Sequence, residues 1–412
     1  MVKLKKTKKW KLETVNRFKE YKMLSIKLAF RNLMGAGLRT WLNVIVLSFS
    51  FVVIVWHRGL LEGWNQQAKF DTIKWEIGNG TYWQVQYDPY DPFSLDESHA
   101  KIPEQMLNQV KKGNLAPILI TQATIYPSGH MQTVLLKGIQ PDQKILALPT
   151  APLDTSINAI PAVIGSRMAK NTKLKEGDFV TVRWRDVNGV FDADEIKIVD
   201  IFKTNVPAID NGQIWLPLEK LRDMTQMPDE ATIIVTSDDI TDPKPFNGWE
   251  FKNQDYLLAE ITEIIHTKSI GGSIIYIILL LLAMLAIFDT QVLSIFRRQK
   301  EIGMHMALGM TRGQVIRLFT VEGALHGILA AIVAAIYGIP LLYLQTIYGI
   351  AMPEGTDDYG LAISEKIIPV YSFGLILGTT LIVLLAVTIV SFLPTRKIAK
   401  MKPTDAIRGK VT

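Results

Sequence analysis

The sequence predicts a membrane protein with four transmembrane helices and a large α+β domain inserted between the first two. Three observations carry this. Four stretches are apolar over the ~20 residues needed to cross a ~30 Å hydrocarbon core. The segment 61–268, between the first two of them, has the mixed polar composition and the length of a domain with its own core. The net charge of +6 over 412 residues is also concentrated in short segments next to the apolar runs. Twelve Lys/Arg fall between Lys3 and Arg39, five between Arg297 and Arg317, and six between Arg396 and Lys410. The loop after the third apolar run has only Lys366 against Glu354, Asp357, Asp358 and Glu365. Positive charge in short loops marks the cytoplasmic side. Both termini and the 297–314 segment are therefore expected inside, with 61–268 and 345–366 outside. The basic excess is a topology signal, and no nucleic-acid partner is expected for the KLKKTKKWK run, where a solvated or headgroup-facing role suffices.

In chain order, residues 1–37 read as a basic tail followed by an amphipathic interfacial helix at 24–34. There, Leu24, Leu28, Phe30, Leu33 and Met34 alternate with Lys27, Arg31 and Asn32. No short apolar region with a cleavage site follows at once, so a signal peptide is not expected. Helix one is expected at 38–60, with Trp41 and Trp56 as interface anchors. The outer domain follows at 61–268. Its strand signals are 81–87, 118–126, 132–139, 179–184, 195–202 and 231–236, with a helix at 216–224. Pro127–Ser128–Gly129 and Asn188–Gly189 supply hairpin turns. Trp64, Trp75, Trp83, Trp184, Trp215 and Trp249 lie in this domain, as core or as an apolar ligand surface. Helix two is expected at 269–296 after Gly271–Gly272, helix three at 315–344, and helix four at 367–393. A cytoplasmic tail occupies 394–412. A helix running unbroken from 311 to 344 would be about 50 Å long, with Pro340 able to kink its outer end.

The 297–314 segment, RRQKEIGMHMALGMTRGQ, is too polar for lipid and too short for a domain. Gly309 is placed to end a short helix at 301–308, because glycine takes the left-handed cap cheaply. Thr311 and Gln314 have capping-box spacing for the next helix. The result is a tight helix–turn–helix elbow at the membrane surface. Asp289, just past the second apolar run, reads as an interfacial residue or as a polar contact to a partner helix. Glu322 and His326, four apart on one face of helix three, read as a structural hydrogen bond, a coupling element or a proton relay. Gly323/Gly327 and Gly374/Gly378 are small-xxx-small pairs that permit close helix approach.

Enzyme chemistry is not expected. The sequence has no cysteine, no G-x-x-x-x-G-K-[ST] loop, no H-E-x-x-H and no G-x-S-x-G elbow. No catalytic or metal-binding residue is assigned, and ATP with its Mg²⁺ would be held by another chain.

Several segments together resemble the FtsX/MacB-like family of ABC-transporter permeases. LAFRNLMGAGLRTWL (28–42) is similar to the family's amphipathic start and first span. FDTQVLSIFRRQKEIGMHMALGMTRGQVIRLFTVEGALHG (288–327) resembles its most specific signature, a basic residue before Glu-Ile-Gly, then Ala-Leu-Gly, then Glu-Gly. LPTRKIAKMKPTDAIR (393–408) looks like its C-terminal tail. LLKGIQPDQK (135–144), AVIGSRMAKNTKLKEGDFVTV and IVDIFKTNVPAIDNGQIWLPLEKL lean toward the lipoprotein-releasing (Lol) and MacB branches, with their MacB-like periplasmic domain. The resemblance implies a permease of the bacterial inner membrane that works with a second copy or a paralogue and with a cytoplasmic ABC ATPase dimer. By mechanotransmission it would extrude or release a lipoprotein or other amphipathic substrate, aided by a periplasmic carrier or membrane-fusion protein. Efflux of antibiotics or peptides, or FtsX-like signalling to an extracellular cell-wall hydrolase, are the alternatives. The same resemblance implies that Arg297, Arg298, Glu301, Ile302, Gly303, Ala307, Leu308, Gly309 and Arg312 couple to the ATPase.

Overall fold

The computed structural model describes residues 37–155, 159–240, 243–351 and 366–400. The basic tail, the amphipathic segment at 24–34, the four acidic residues of the 345–366 loop and the chain from 401 onward lie outside the described residues. The chain divides into two compact units. One is helical and comprises the chain up to Glu62, Thr267–Gly349 and the segment from Ile368. The other comprises Gly63–His266 with Ile350–Ile367.

Helix α1 spans Leu38–Thr72, longer than the 38–60 expected. No breaker follows residue 60, and Leu60, Leu61, Trp64 and Ala68 continue an apolar face at helical spacing. A π-helical turn, Ile73–Ile77, ends it at Gly78. Then come β1 (Gly80–Gln84), β2 (Ala100–Lys101), α2 (Glu104–Lys111), β3 (Leu115–Ile125), β4 (Gln132–Ile139), β5 (Ile160–Gly165), α3 (Ser166–Thr172), β6 (Phe179–Arg185) and β7 (Phe191–Phe202). The unit continues through α4 (Pro207–Asp210), β8 (Gln213–Pro217), α5 (Leu218–Thr225), β9 (Glu230–Ala231), β10 (Ile233–Thr236), β11 (Trp249–Asn253) and α6 (Gln254–Leu257). The helix expected at 216–224 starts two residues late. Leu216 and Pro217 finish β8, where parallel pairing with Gly138 and Ile139 of β4 claims them.

The nine-stranded sheet has the order β11-β1-β10-β3-β4-β8-β5-β7-β6, and β3 also pairs with β6. Strand β3 makes this possible by its length. Leu115–Ile118 pairs with β10, and Ala123–Ile125 pairs with Trp184–Val182 of β6. Six strands, β3-β4-β8-β5-β7-β6, thus close on themselves, while β10, β1 and β11 continue as an open extension. Alternation along β3 sorts its side chains. Leu119, Ala123 and Ile125 join the cluster enclosed by the closed strands with Leu136, Ile164 and Val182. Ile118 and Ile120 point the other way, into a second cluster with Trp215, Val163 and Ile233. Trp184 donates its Nε1–H to the Met224 carbonyl at 2.7 Å, so its burial leaves no polar atom unpaired. Asn188–Gly189 turns β6 into β7 as expected, with Gly189 at φ +81°.

The chain continues with α7 (Ala259–Arg297), α8 (Gln299–Ala307) and α9 (Arg312–Tyr348), then β12 (Ile350–Ala351) and β13 (Lys366–Ile367), which belong to the unit with the large sheet, and α10 (Phe373–Thr395) of the helical unit. Among the described residues, four helices (α1, α7, α9 and α10) are long and apolar enough to cross a membrane. Three of their limits differ from expectation. Gly271 and Gly272 lie inside α7 rather than before it, and a Cβ on Gly272 would stand 2.5 Å from the His57 ring. Helix α9 passes Pro340 unbroken for 37 residues. Helix α10 begins only at Phe373, because Ser372 caps it by accepting from the Leu375 N–H and Ile367 is paired in β13.

The four helices meet through Val44, Leu47 and Phe51 of α1, Ala283 and Ile287 of α7, Ala330 of α9 and Val387 of α10. Asn43 donates to Thr290 at 2.6 Å and ties α1 to α7. Leu281, Leu282 and Leu285 of α7, Ile332 and Ile336 of α9, and Leu385 and Ile389 of α10 are exposed. A belt of outward leucine and isoleucine suits lipid rather than water. Gly323 and Gly327 allow close approach, since a Cβ on Gly323 would collide with Ser391 Oγ of α10 and one on Gly327 would meet Leu384 at 3.0 Å. Gly374 and Gly378 do not, because a Cβ on either has open space around it.

The π turn after α1 depends on one glycine. The Gly78 N–H closes it on the Ile73 carbonyl at 2.9 Å, with φ at +56°, and a Cβ there would lie 2.5 Å from the Thr236 carbonyl oxygen. Gly78→Ala is expected to cost about 1–3 kcal/mol, read as a lower unfolding temperature of the soluble unit by near-UV circular dichroism. An unchanged transition would show that the turn relaxes freely.

Candidate coupling site

The elbow forms the expected helix–turn–helix, but its short helix begins at Gln299 rather than 301, directly after Arg298. Helix α8 ends at Ala307, capped by Leu308, and Gly309 takes φ +97°. The Gly309 N–H donates to the Met306 carbonyl at 3.1 Å and the Met310 N–H to the His305 carbonyl at 3.0 Å. This pair of bonds is a Schellman motif. Two residues on, Thr311 and Gln314 form a capping box, with Thr311 Oγ1 accepting from the Gln314 N–H at 3.3 Å and Gln314 Oε1 from the Thr311 N–H at 2.8 Å. Both orphaned helix ends are satisfied within a few residues, which fixes the turn.

One face of the elbow is buried. Ile302 of α8 packs with Ile295 of α7, Val315 and Phe319 of α9, and Ile398 of the 3₁₀ turn Arg396–Lys400. Gly303 is buried beside them. The opposite face carries Arg297, Lys300, Glu301, Met304, Ala307, Leu308, Gly309 and Arg312, all exposed. Leu308 is 78% exposed.

Arg298 joins these two aspects. It caps α8 at its N-terminus, and its Nε–H donates to Glu301 at 2.7 Å. Its Nη1 donates to both oxygens of Glu322 on α9, at 3.1 and 3.0 Å. The guanidinium lies 4.8 Å from the centroid of the Phe319 ring. Burial opposes the Arg298 charge, but the bonds to Glu301 and Glu322 outweigh it and hold its pKa above the usual arginine value. The Glu322 side chain is only 8% exposed and the Glu301 side chain 55%. The inner leg of this clamp is therefore buried and the outer leg is solvated.

Around Glu322 lies a polar layer. The His326 ring Nδ1 meets the Glu322 carbonyl at 3.1 Å, while its Nε2 is buried with no hydrogen-bond partner. His326 thus packs on the Glu322 backbone and not on its carboxylate. Gln291 of α7 is 1% exposed and its Oε1 is also unpartnered. Thr320 of α9 and Thr395 of α10 meet through their hydroxyls at 3.3 Å. Asp289, by contrast, is exposed on α7 and takes no part in this layer. The arrangement brings Arg298, Glu301, Glu322 and His326 together and leaves Asp289 apart. Sequence reasoning missed Phe319, Gln291, Ser391 and Ile398. The amide of Gln291 in an otherwise apolar run was the one visible signal.

A short helix is thus clamped by a buried arginine–carboxylate pair onto the third of four helices long and apolar enough to cross a membrane. Comparison with known proteins places permeases beside this arrangement. Residues 273–403, which hold α8, the clamp and the polar layer, match the family of the FtsX-like permease C-terminal region. In this region the chain is similar to FtsX-like permeases. Over 263 residues it is also 24% identical to the uncharacterized ABC transporter permease YknZ of Bacillus subtilis (strain 168), covering 60% of this chain. The match spans 61% of that relative's length, less than two thirds of it. The crystal structure of the extracellular domain of the noncanonic ABC-type transporter YknZ from Gram-positive bacteria covers 39% of this chain and 82% of its own, at 12% identity and a TM-score of 0.24. A likeness that slight bears no weight on the fold.

The two legs of the clamp should differ in cost. Glu322→Ala removes the buried partner and is expected to lower bundle stability by about 3 kcal/mol. Glu301→Ala removes a solvated one and should cost less than about 1 kcal/mol. Thermal unfolding of the two variants in one detergent checks the order, and equal losses would contradict the burial argument.

Proposed function

We propose that this chain is the permease subunit of an ABC transporter and that the elbow receives the motion of a separate cytoplasmic ATPase dimer, where ATP and Mg²⁺ are bound. The observation that carries the reading is the Arg298 clamp. A helix that only reversed the chain would need no buried ion pair to the next span. One that must move together with α9 does, and Arg298 links α8 to Glu322 while Phe319 covers the guanidinium. The exposed side of the elbow supplies the contact. Met304 and Leu308 are exposed apolar side chains, ringed by Arg297, Lys300 and Arg312. That pattern suits an ATPase groove with an apolar floor and acidic rim.

In this reading the termini and elbow face the cytoplasm of a bacterial inner membrane, as the positive-inside count supports, and the soluble unit lies outside. ATP-driven closure of the ATPase dimer pushes the elbow. The clamp carries that push into α9, and close packing at Gly323 carries it to Ser391 of α10. A second permease copy or paralogue completes the assembly. The substrate is a lipoprotein or another amphipathic molecule, extruded or released without passing along a central pore.

Gly309→Val places a β-branched side chain at φ +97°, a conformation that costs such residues about 1–2 kcal/mol. A Cβ there meets no other atom, so the damage is confined to the turn. The variant is expected to keep its soluble unit folded and to assemble with its ATPase, but to lose the response of ATP hydrolysis to substrate. A variant that transports normally would refute the coupling role. If no ATPase co-purifies and charge reversal in the elbow has no effect, the permease reading falls; if a cell-wall hydrolase rather than an amphiphile is captured by the soluble unit, ATP-driven signalling replaces transport.

A further inference from the structure

The soluble unit contains a cavity of about 610 Å³, within the ~300–1,000 Å³ range of small-molecule sites. It lies against the sheet face that carries Trp215, Ile118 and Ile233, outside the closed strands. Its walls are apolar and aromatic, with Ala68 of α1, Trp83 of β1, Val206 before α4, and Ile264 and Ile265 of α7 among them.

Three polar groups in this lining have no hydrogen-bond partner among the described residues. Lys137 of β4 is 6% exposed. It stands beside Trp215 in the parallel β4–β8 register, and its Nζ lies 5.2 Å from the Trp215 ring centroid. Among the described residues it makes no ion pair or hydrogen bond. Trp215 Nε1 and Thr72 Oγ1 are buried in the same lining without hydrogen-bond partners. Burial pushes the Lys137 ammonium below the usual lysine range, and Glu76 of the π turn pulls it part of the way back. A buried ammonium, an indole N–H and a hydroxyl are three donors without an acceptor. Leaving such groups dry and unpaired is costly, and a strand position facing an apolar cluster would ordinarily hold an aliphatic residue.

The nearby carboxylates narrow the complement. Glu76 lines the cavity but does not ion-pair with Lys137, and Glu260 is held by the Tyr90 hydroxyl at 2.7 Å. Two carboxylates in one lining disfavour a doubly charged head such as a phosphate monoester, while one negative charge on Lys137 is compensated. We propose that this cavity binds a single-chain monoanionic amphiphile, a long-chain carboxylate, with its head on Lys137, Trp215 and Thr72 and its alkyl chain along Ala68, Ile264 and Ile265. As a binding site it stands by itself; it rests on the transport reading only for calling the ligand cargo.

The test uses the full chain in phosphatidylcholine nanodiscs, photolabelled with a diazirine-bearing palmitate and mapped by peptide mass spectrometry. Label is expected on residues 64–72 and 257–265, competed by palmitate about tenfold better than by hexadecanol, the ratio of one charge-assisted hydrogen bond. Lys137→Met should remove that preference and leave the labelled peptides unchanged. Ala68→Phe, which fills the cavity and keeps the lysine, should abolish the label. Label found only elsewhere, or equal competition by acid and alcohol in the native chain, overturns the site. A Lys137→Met chain that keeps the preference overturns the assignment of the head. Where that variant does not fold, as judged by circular dichroism, the native competition and Ala68→Phe decide. Failed labelling with elbow variants still uncoupled refutes the site alone; successful labelling with elbow variants unaffected refutes the coupling alone.

Discussion

The contact on which the helical unit depends is the one between Arg298 and Glu322. A glutamate whose side chain is 8% exposed on a membrane-crossing helix is tolerable only if a cation meets it, because an unpaired charge in that setting costs several kcal/mol. Arg298 meets it from outside the span, at the start of the short helix that forms the elbow. The position of α8 is therefore set by an electrostatic requirement of α9. Phe319, one turn before Glu322, closes the apolar side of the guanidinium and belongs to the same cluster as Ile302 and Ile398. Charge and apolar packing hold the same joint, so the elbow cannot shift without α9 following or the pair breaking.

The soluble unit solves a different problem. Closing six strands leaves a sheet with an enclosed core, yet β10, β1 and β11 extend from β3 as an open flank. That flank has to be covered on the face of Trp215 and Ile233. The π turn after α1 and the segment around α6 line this face but do not fill it, as the cavity there records. A π turn inserts one extra residue into a helix and often marks a functional site. Here it brings Thr72, Glu76 and Ile77 into one lining.

Much of this was legible in the sequence, and for identifiable reasons. The elbow was the most legible part because its signals are local: a glycine that alone accepts φ +97° cheaply, and a Thr–Gln pair at capping distance. The hairpin at Asn188–Gly189 was legible on the same ground. Helix ends at the unit boundary were not. Apolar periodicity in α1 continues past residue 60 with no breaker, and composition alone places a boundary where charge begins. The partner of Glu322 was also hidden. Its (i, i+4) neighbour His326 was the visible candidate, whereas the side chain that reaches the carboxylate, Arg298, lies 24 residues away and meets it only after the elbow folds. Lys137 gave no signal, since a lysine in an alternating strand reads as an outward, solvated position. Only the closure of β3 onto β6 and the packing outside it reveal that this face is covered.

In the proposed coupling, Arg298 and Glu322 act as one unit in passing movement from elbow to span. A double-mutant cycle on Arg298→Met and Glu322→Gln, read as substrate-stimulated ATP hydrolysis by the assembled complex, addresses it directly. If the pair is the link, either single change removes most of the stimulation and the double variant is no worse than the more impaired single. Losses that simply add, with each single variant retaining a coupled response, would show that the two residues act separately and that movement reaches α9 by another route.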